Sequence, residues 1–142
     1  MNEKIAKMNI LKDKADRDLK TAELLLRQDD ADFYSAIICF HCQQSIEKYL
    51  KAFLTKNECH APKTHDVSYL ALLCSDFDDF FKTCDLSDFR DYGVEIRYDD
   101  NIPTFDEARK AVQVTKQFVL NVKPHLSDEE LTTGEITFPE EQ

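Results

Sequence analysis

Three observations predict an all-α fold, an antiparallel up-and-down four-helix bundle with one additional short helix. Apolar residues recur at three- and four-residue steps through most of the chain, the spacing of a buried helical face. Two Gly and four Pro in 142 residues leave little material for hairpin turns. The content of 42% hydrophobic and 32% charged residues is that of a globular protein with a solvated surface, and the length suits a single core.

The first helix is written in Met8, Leu11, Ala15, Leu19, Ala22 and Leu25/Leu26, with Lys12, Asp13, Lys14, Asp16 and Arg17 on its other faces. The cluster Gln28 to Asp32 interrupts it, and Asp30 or Asp32 is placed to cap the next helix. That helix, Phe33 to about Lys56, is the central one. It carries Phe33, Ala36, Ile37, Phe40, Ile46, Leu50, Phe53 and Leu54, and Ile38, Cys39, Cys42 and Tyr49 make its first half apolar nearly all round. Gln43, Gln44, Glu47, Lys48 and Lys51 are the polar positions of its second half, and Asn57 ends it.

A shorter helix starts at Thr64 with Val67, Leu70, Ala71 and Cys74 inward. Residues 75–98 fit helical spacing with a break near Thr83 to Ser87, and Gly93 weakens the last turns. The final helix has the clearest pattern. Thr104 and Glu107 form a capping box after Pro103, Ala108, Ala111, Val112, Thr115, Phe118, Val119 and Val122 make one stripe, and Pro124 ends it. The predicted domain is therefore 1–124, followed by an acidic, sparsely apolar tail, 125–142, with too little to bury and expected to be disordered.

Charge and composition narrow the function. The net charge is −10, of which the six acids of 125–142 supply −6 without a single Lys or Arg. Non-specific nucleic-acid binding rests on many basic contacts to phosphates, so any nucleotide site must be local. No run approaches the roughly 20 apolar residues of a membrane span, and the charged start lacks the apolar centre of a signal peptide. These features predict a cytoplasmic protein with no membrane partner. Five cysteines, mostly within apolar helical segments, read as free thiols. Cys39, His41, Cys42, Cys59, His60 and His65 include metal-ligand types, but Cys39 and Cys42 lie on a helical run and no second C-x2-4-C pair follows, so neither a metal nor a cofactor is expected. Two glycines build no phosphate loop.

Three polar motifs remain: QQSIEKYLKAFL from Gln43 to Leu54, THD from Thr64 to Asp66, and EIRYDD from Glu95 to Asp100. In order and spacing they resemble the HEPN family over about residues 8–123. The resemblance implies a helical bundle that pairs as a homodimer, a nucleotide- or RNA-related role, and in many cases a minimal nucleotidyltransferase partner, as in toxin–antitoxin pairs. In the ribonuclease branch an Arg is followed after four to six residues by a His. Arg97 matches the Arg, but the His positions hold Ile102, Pro103 and Thr104. Backbone cleavage needs a group that exchanges a proton near neutral pH, so the reading is a non-catalytic domain; a ribonuclease toxin with a displaced catalytic group and a purely structural adaptor are the alternatives.

The nucleotide-binding set is Gln43, Gln44, Lys48, Lys51, His65, Asp66, Arg97, Tyr98 and Asp99. Arg97 and Lys48 suit phosphate, Tyr98 a base face, and the glutamines polar edges. The same residues also read as a helix start at Thr64 and Asp66 and an i,i+4 pair of Glu47 with Lys51. An aromatic content of 11%, concentrated in Phe77, Phe80, Phe81, Phe89 and Tyr92, leaves rings in surplus to one core and adds to the expectation of a dimer.

Overall fold

The computed structural model describes residues 2–89 and 102–127, which form four α-helices and two short 3₁₀ turns, with no β-strand among the described residues. Helix α1 (Glu3–Leu26) starts where the Asn2 side chain accepts the Ile5 N–H at 2.9 Å. It buries Met8, Ala15 and Ala22, with Leu11 and Leu19 packed beside them. Two alanines seven residues apart give α1 a flat seam, and its main neighbour is α2.

Helix α2 (Ser35–Lys56) is the centre of the molecule and packs on α1, α3 (Val67–Cys74) and α4 (Phe105–Leu126). Its 22 residues span roughly 33 Å. Ile46, Tyr49, Leu50, Phe53 and Leu54 belong to the larger core cluster; Ile38, Cys39 and Cys42 join Ala22, Ala108 and Val112 in a smaller one. The chain enters α2 later than the sequence predicts. A 3₁₀ turn, Ala31–Tyr34, comes first, neither that turn nor α2 has a side-chain N-cap bond, and Phe33 is left 80% exposed instead of inside.

The exit from α2 departs from expectation in one residue. Asn57 is the cap, but the left-handed residue is Glu58, at φ 58°. Glu58 N–H reaches the Thr55 carbonyl and Cys59 N–H the Leu54 carbonyl, so the pattern is a Schellman motif with Glu where glycine is usual. Helix α3 begins at Val67, not Thr64. The Asp66 side chain caps it by accepting the Tyr69 N–H, and Thr64 Oγ1 in turn accepts the Asp66 N–H. The four residues expected inward, Val67, Leu70, Ala71 and Cys74, are the buried ones.

After α3 a 3₁₀ turn, Asp79–Thr83, replaces the expected helix, and residues 90–101, which include Gly93 and Tyr92, lie outside the described part. Three of the rings read as surplus, Phe80, Phe81 and Phe89, serve this chain's own packing, while Phe77 is exposed. Phe81 is buried against Phe53 at 4.4 Å between centroids, Phe80 stacks on His125 at 4.3 Å, and Phe89 lies against the core. Among the other exposed apolar side chains are Phe33, Ile37, Ile102 and Phe105, near where Ser35 Oγ donates to the Pro103 carbonyl at 2.6 Å.

Helix α4 has the capping box in full: Thr104 Oγ1 accepts the Glu107 N–H and Glu107 accepts the Thr104 N–H. Pro124 does not end it. The helix runs on to Leu126, which is buried, so packing extends past the predicted boundary at 124. A proline lacks its own N–H, but in the last turn the rest of the ladder is short and other groups hold the end. Lys56 Nζ donates to the His125 and Ser127 carbonyls, and His125 Nδ1 meets Asp78 at 2.6 Å. Residues 128–142 of the predicted tail lie outside the described part.

Candidate functional site

The outward positions of α2 form a polar strip. Gln44, Lys48 and Lys51 follow at four- and three-residue steps, which places them on one helical face, and His41 stands one turn before Gln44. Helix α1 borders the strip on one side and the segment leading into α3 on the other. Each border brings one side chain into a three-membered cluster.

On the α1 side, Asp18 is shared. His41 Nδ1 meets its Oδ1 at 2.9 Å and Lys48 Nζ donates to its Oδ2. On the other side Glu47 is shared in the same way, with Lys51 Nζ at 2.9 Å from Oε2 and His65 Nδ1 at 3.0 Å from Oε1. The carboxylates lie deep, at 12% and 6% side-chain exposure, whereas Lys48, Lys51 and His41 keep a fifth to a quarter of their surface and His65 about half. A buried carboxylate is stable only when paired, and here each is paired twice. The cations therefore stand over fixed anions at the surface.

Several residues singled out from the sequence take structural positions. Gln43 is buried and its Nε2 donates to the His65 carbonyl at 2.8 Å, which pins the loop to α2, and Asp66 is the cap of α3. Glu47 and Lys51 do form their i,i+4 pair. Gln44 lies on the strip, half-buried. Arg97, Tyr98 and Asp99 lie outside the described residues. Asp18 and His41 are the site residues the sequence reading missed. A signal was present, since His41 is the one strongly polar side chain in the apolar run from Ile37 to Cys42 and Asp18 lies between the buried seam positions Ala15 and Ala22.

Other reactive side chains are held quiet. Burial pushes the Cys42 and Cys74 thiols up to about 12, which keeps them protonated and inert, and no disulfide joins any of the five cysteines. Burial and then the bond to Asp16 push Tyr49 far above the ordinary phenol range, so its hydroxyl stays a donor joining α2 to α1.

The HEPN domain model matches residues 8–125, most of the chain. This chain belongs to the HEPN family. No curated protein and no solved structure matches it. Residues 102 to 104, which the sequence comparison with Arg97 singles out, are Ile, Pro and Thr within this HEPN domain. Thr104 caps α4, the Pro103 carbonyl holds Ser35, and Ile102 is an exposed apolar side chain. None of the described helices is long and apolar enough to cross a membrane.

Proposed function

We propose that this HEPN domain is non-catalytic, forms a homodimer, and binds a nucleotide or a nucleotidyltransferase-like partner protein. The observation that carries the reading is a set of phosphate-suited donors on α2 in a chain that lacks the His of the ribonuclease motif. Lys48, Lys51, His65 and Gln44 share the strip, while positions 102 to 104 hold Ile, Pro and Thr. His125 is no substitute, because it lies at the other end of α4, roughly 30 Å along the axis from Thr104. His65 and His41 lie on the strip itself, each with Nδ1 on a carboxylate. Charged donors of this kind suit phosphate, and few of them means a shallow salt dependence. The dimer half of the reading is supported by the exposed apolar side chains Phe33, Ile37, Ile102 and Phe105.

The double pairing of Glu47 and of Asp18 favours a second reading, in which the strip is an ion-pair network of a structural adaptor. Titrating mono- and dinucleotides against the wild type, Lys48→Ala and Arg97→Ala decides between them. Binding weakened by both substitutions, without RNA cleavage, is the expected result. Arg97-dependent cleavage would replace the reading with a ribonuclease, and absence of any binding would leave the adaptor. Sedimentation at micromolar concentration should give twice 16.5 kDa; a monomer would remove the dimer.

A further inference from the structure

The two shared carboxylates set the charge of the strip. With both imidazoles neutral, Asp18 and Glu47 cancel Lys48 and Lys51, so the strip carries no excess charge. Each imidazole binds its carboxylate through Nδ1, which must then carry the hydrogen, because a carboxylate only accepts. Nε2 is left as the nitrogen able to meet a ligand. In the neutral ring Nε2 is an acceptor and repels a phosphate oxygen; in the protonated ring it is a charged donor. The two clusters together then gain two positive charges and two donors, beside two ammonium groups already held in place.

Resting on the nucleotide-binding reading, we propose that His41 and Asp18 belong to the site, and that the Asp18–His41–Lys48 and Glu47–His65–Lys51 clusters bind a terminal phosphate monoester dianion with uptake of protons at the imidazoles. A monoester dianion carries two charges and offers three oxygens to an ammonium and an imidazolium held side by side. A phosphodiester link has one charge and two free oxygens, and matches less well. The carboxylates act as positioning residues that hold the rings by Nδ1.

The charged surroundings are few. His41 faces Asp18 from α1 and Lys48 from its own helix, with Lys14 one turn before Asp18. His65 faces Glu47 and Lys51 on α2, with Lys63 and Asp66 as its chain neighbours. Asp13 is held by Arg17, and Asp16 faces Tyr49 and Lys123. Proton uptake at two rings, against this background, makes affinity depend on pH by up to about tenfold per pH unit for each proton taken up.

The test is calorimetric titration of the full chain with adenosine 5′-monophosphate and with the diester adenylyl-adenosine, at about pH 7 and pH 8, in buffers of different ionisation enthalpy. Monophosphate affinity at least threefold higher at the lower pH, with net proton uptake, supports the proposal; the diester should bind more weakly and with little pH dependence. His41→Gln and His65→Gln should each remove part of the uptake. The imidazole resonances of the wild type, followed by NMR with and without monophosphate, give the same answer without any substitution. Monophosphate binding of equal strength at both pH values, or uptake that is undiminished in both variants, overturns the inference and leaves nucleotide binding standing. Absence of binding by either nucleotide at either pH overturns both.

Discussion

His125 and His65 each meet a carboxylate through Nδ1, yet their surroundings differ in kind. The His125 ring lies flat on Phe80, its carbonyl accepts from Lys56, and its partner Asp78 also accepts the Phe80 N–H at 2.9 Å. His65 touches a carboxylate on one side and water on the other, half its side chain exposed. A ring stacked on core aromatics as well as paired is a fastening, and its loss is felt as lost stability. A ring fixed at one nitrogen is held in position while its other nitrogen remains available, and its loss should be felt in binding. The ion pair alone does not tell the two apart; the neighbours do.

The largest effect expected lies at the His125 corner. Truncation after Ser127 should leave the denaturation midpoint unchanged, whereas truncation after Lys123 removes buried Leu126 together with His125 and should cost about 3–5 kcal/mol in chemical denaturation. Equal stability of the two truncations would show that the corner is not part of the fold. His125→Ala alone should cost about 1–2 kcal/mol, from the lost stacking and hydrogen bond.

The same corner should shape the acid limb of stability. Burial works against the Asp78 charge, but the Phe80 N–H, His125 and Lys56 outweigh it and hold the carboxyl below the usual carboxylate range. A lowered folded-state value means that its contribution is full above the ordinary carboxylate range and is lost as pH falls through the lowered value. Asp78→Asn should therefore narrow the stability gap to wild type as the solution is acidified; a gap independent of pH would contradict this.

Smaller changes are expected elsewhere. Glu58→Gly relieves a left-handed residue and should raise stability by about 0.5–1 kcal/mol, with only an exposed pair to Lys4 to lose. On the strip, His41→Gln and His65→Gln should change stability by less than about 0.5 kcal/mol, as expected for surface positions. A loss at either His as large as that of His125→Ala would make the strip a fastening too.

The long helices were legible because their apolar stripes are periodic and their caps are local. Thr104 with Glu107 and the inward set of α3 needed nothing beyond neighbouring residues. The 3₁₀ turns before α2 and after α3 were not legible, since their spacing is compatible with a regular helix and only tertiary packing selects the tighter turn. Pro124 misled for the opposite reason: a strong local stop was overridden by Leu126, Lys56 and His125 acting from outside the helix. Of the site, Lys48, Lys51 and His65 were legible as polar positions. Asp18 was not, because a polar residue on α1 reads as solvated until α2 lies against it.

The capping box at Thr104 also limits how this domain could change. A His placed at 104 would restore the spacing to Arg97 found in the ribonuclease branch, but it would uncap α4 at a cost of about 1 kcal/mol. At 103 it would take away the proline that precedes the cap. Only Ile102, exposed and outside the helix, can be exchanged without disturbing either. Restoring the Arg–His spacing of the ribonuclease branch without loosening the start of α4 thus narrows to a single residue.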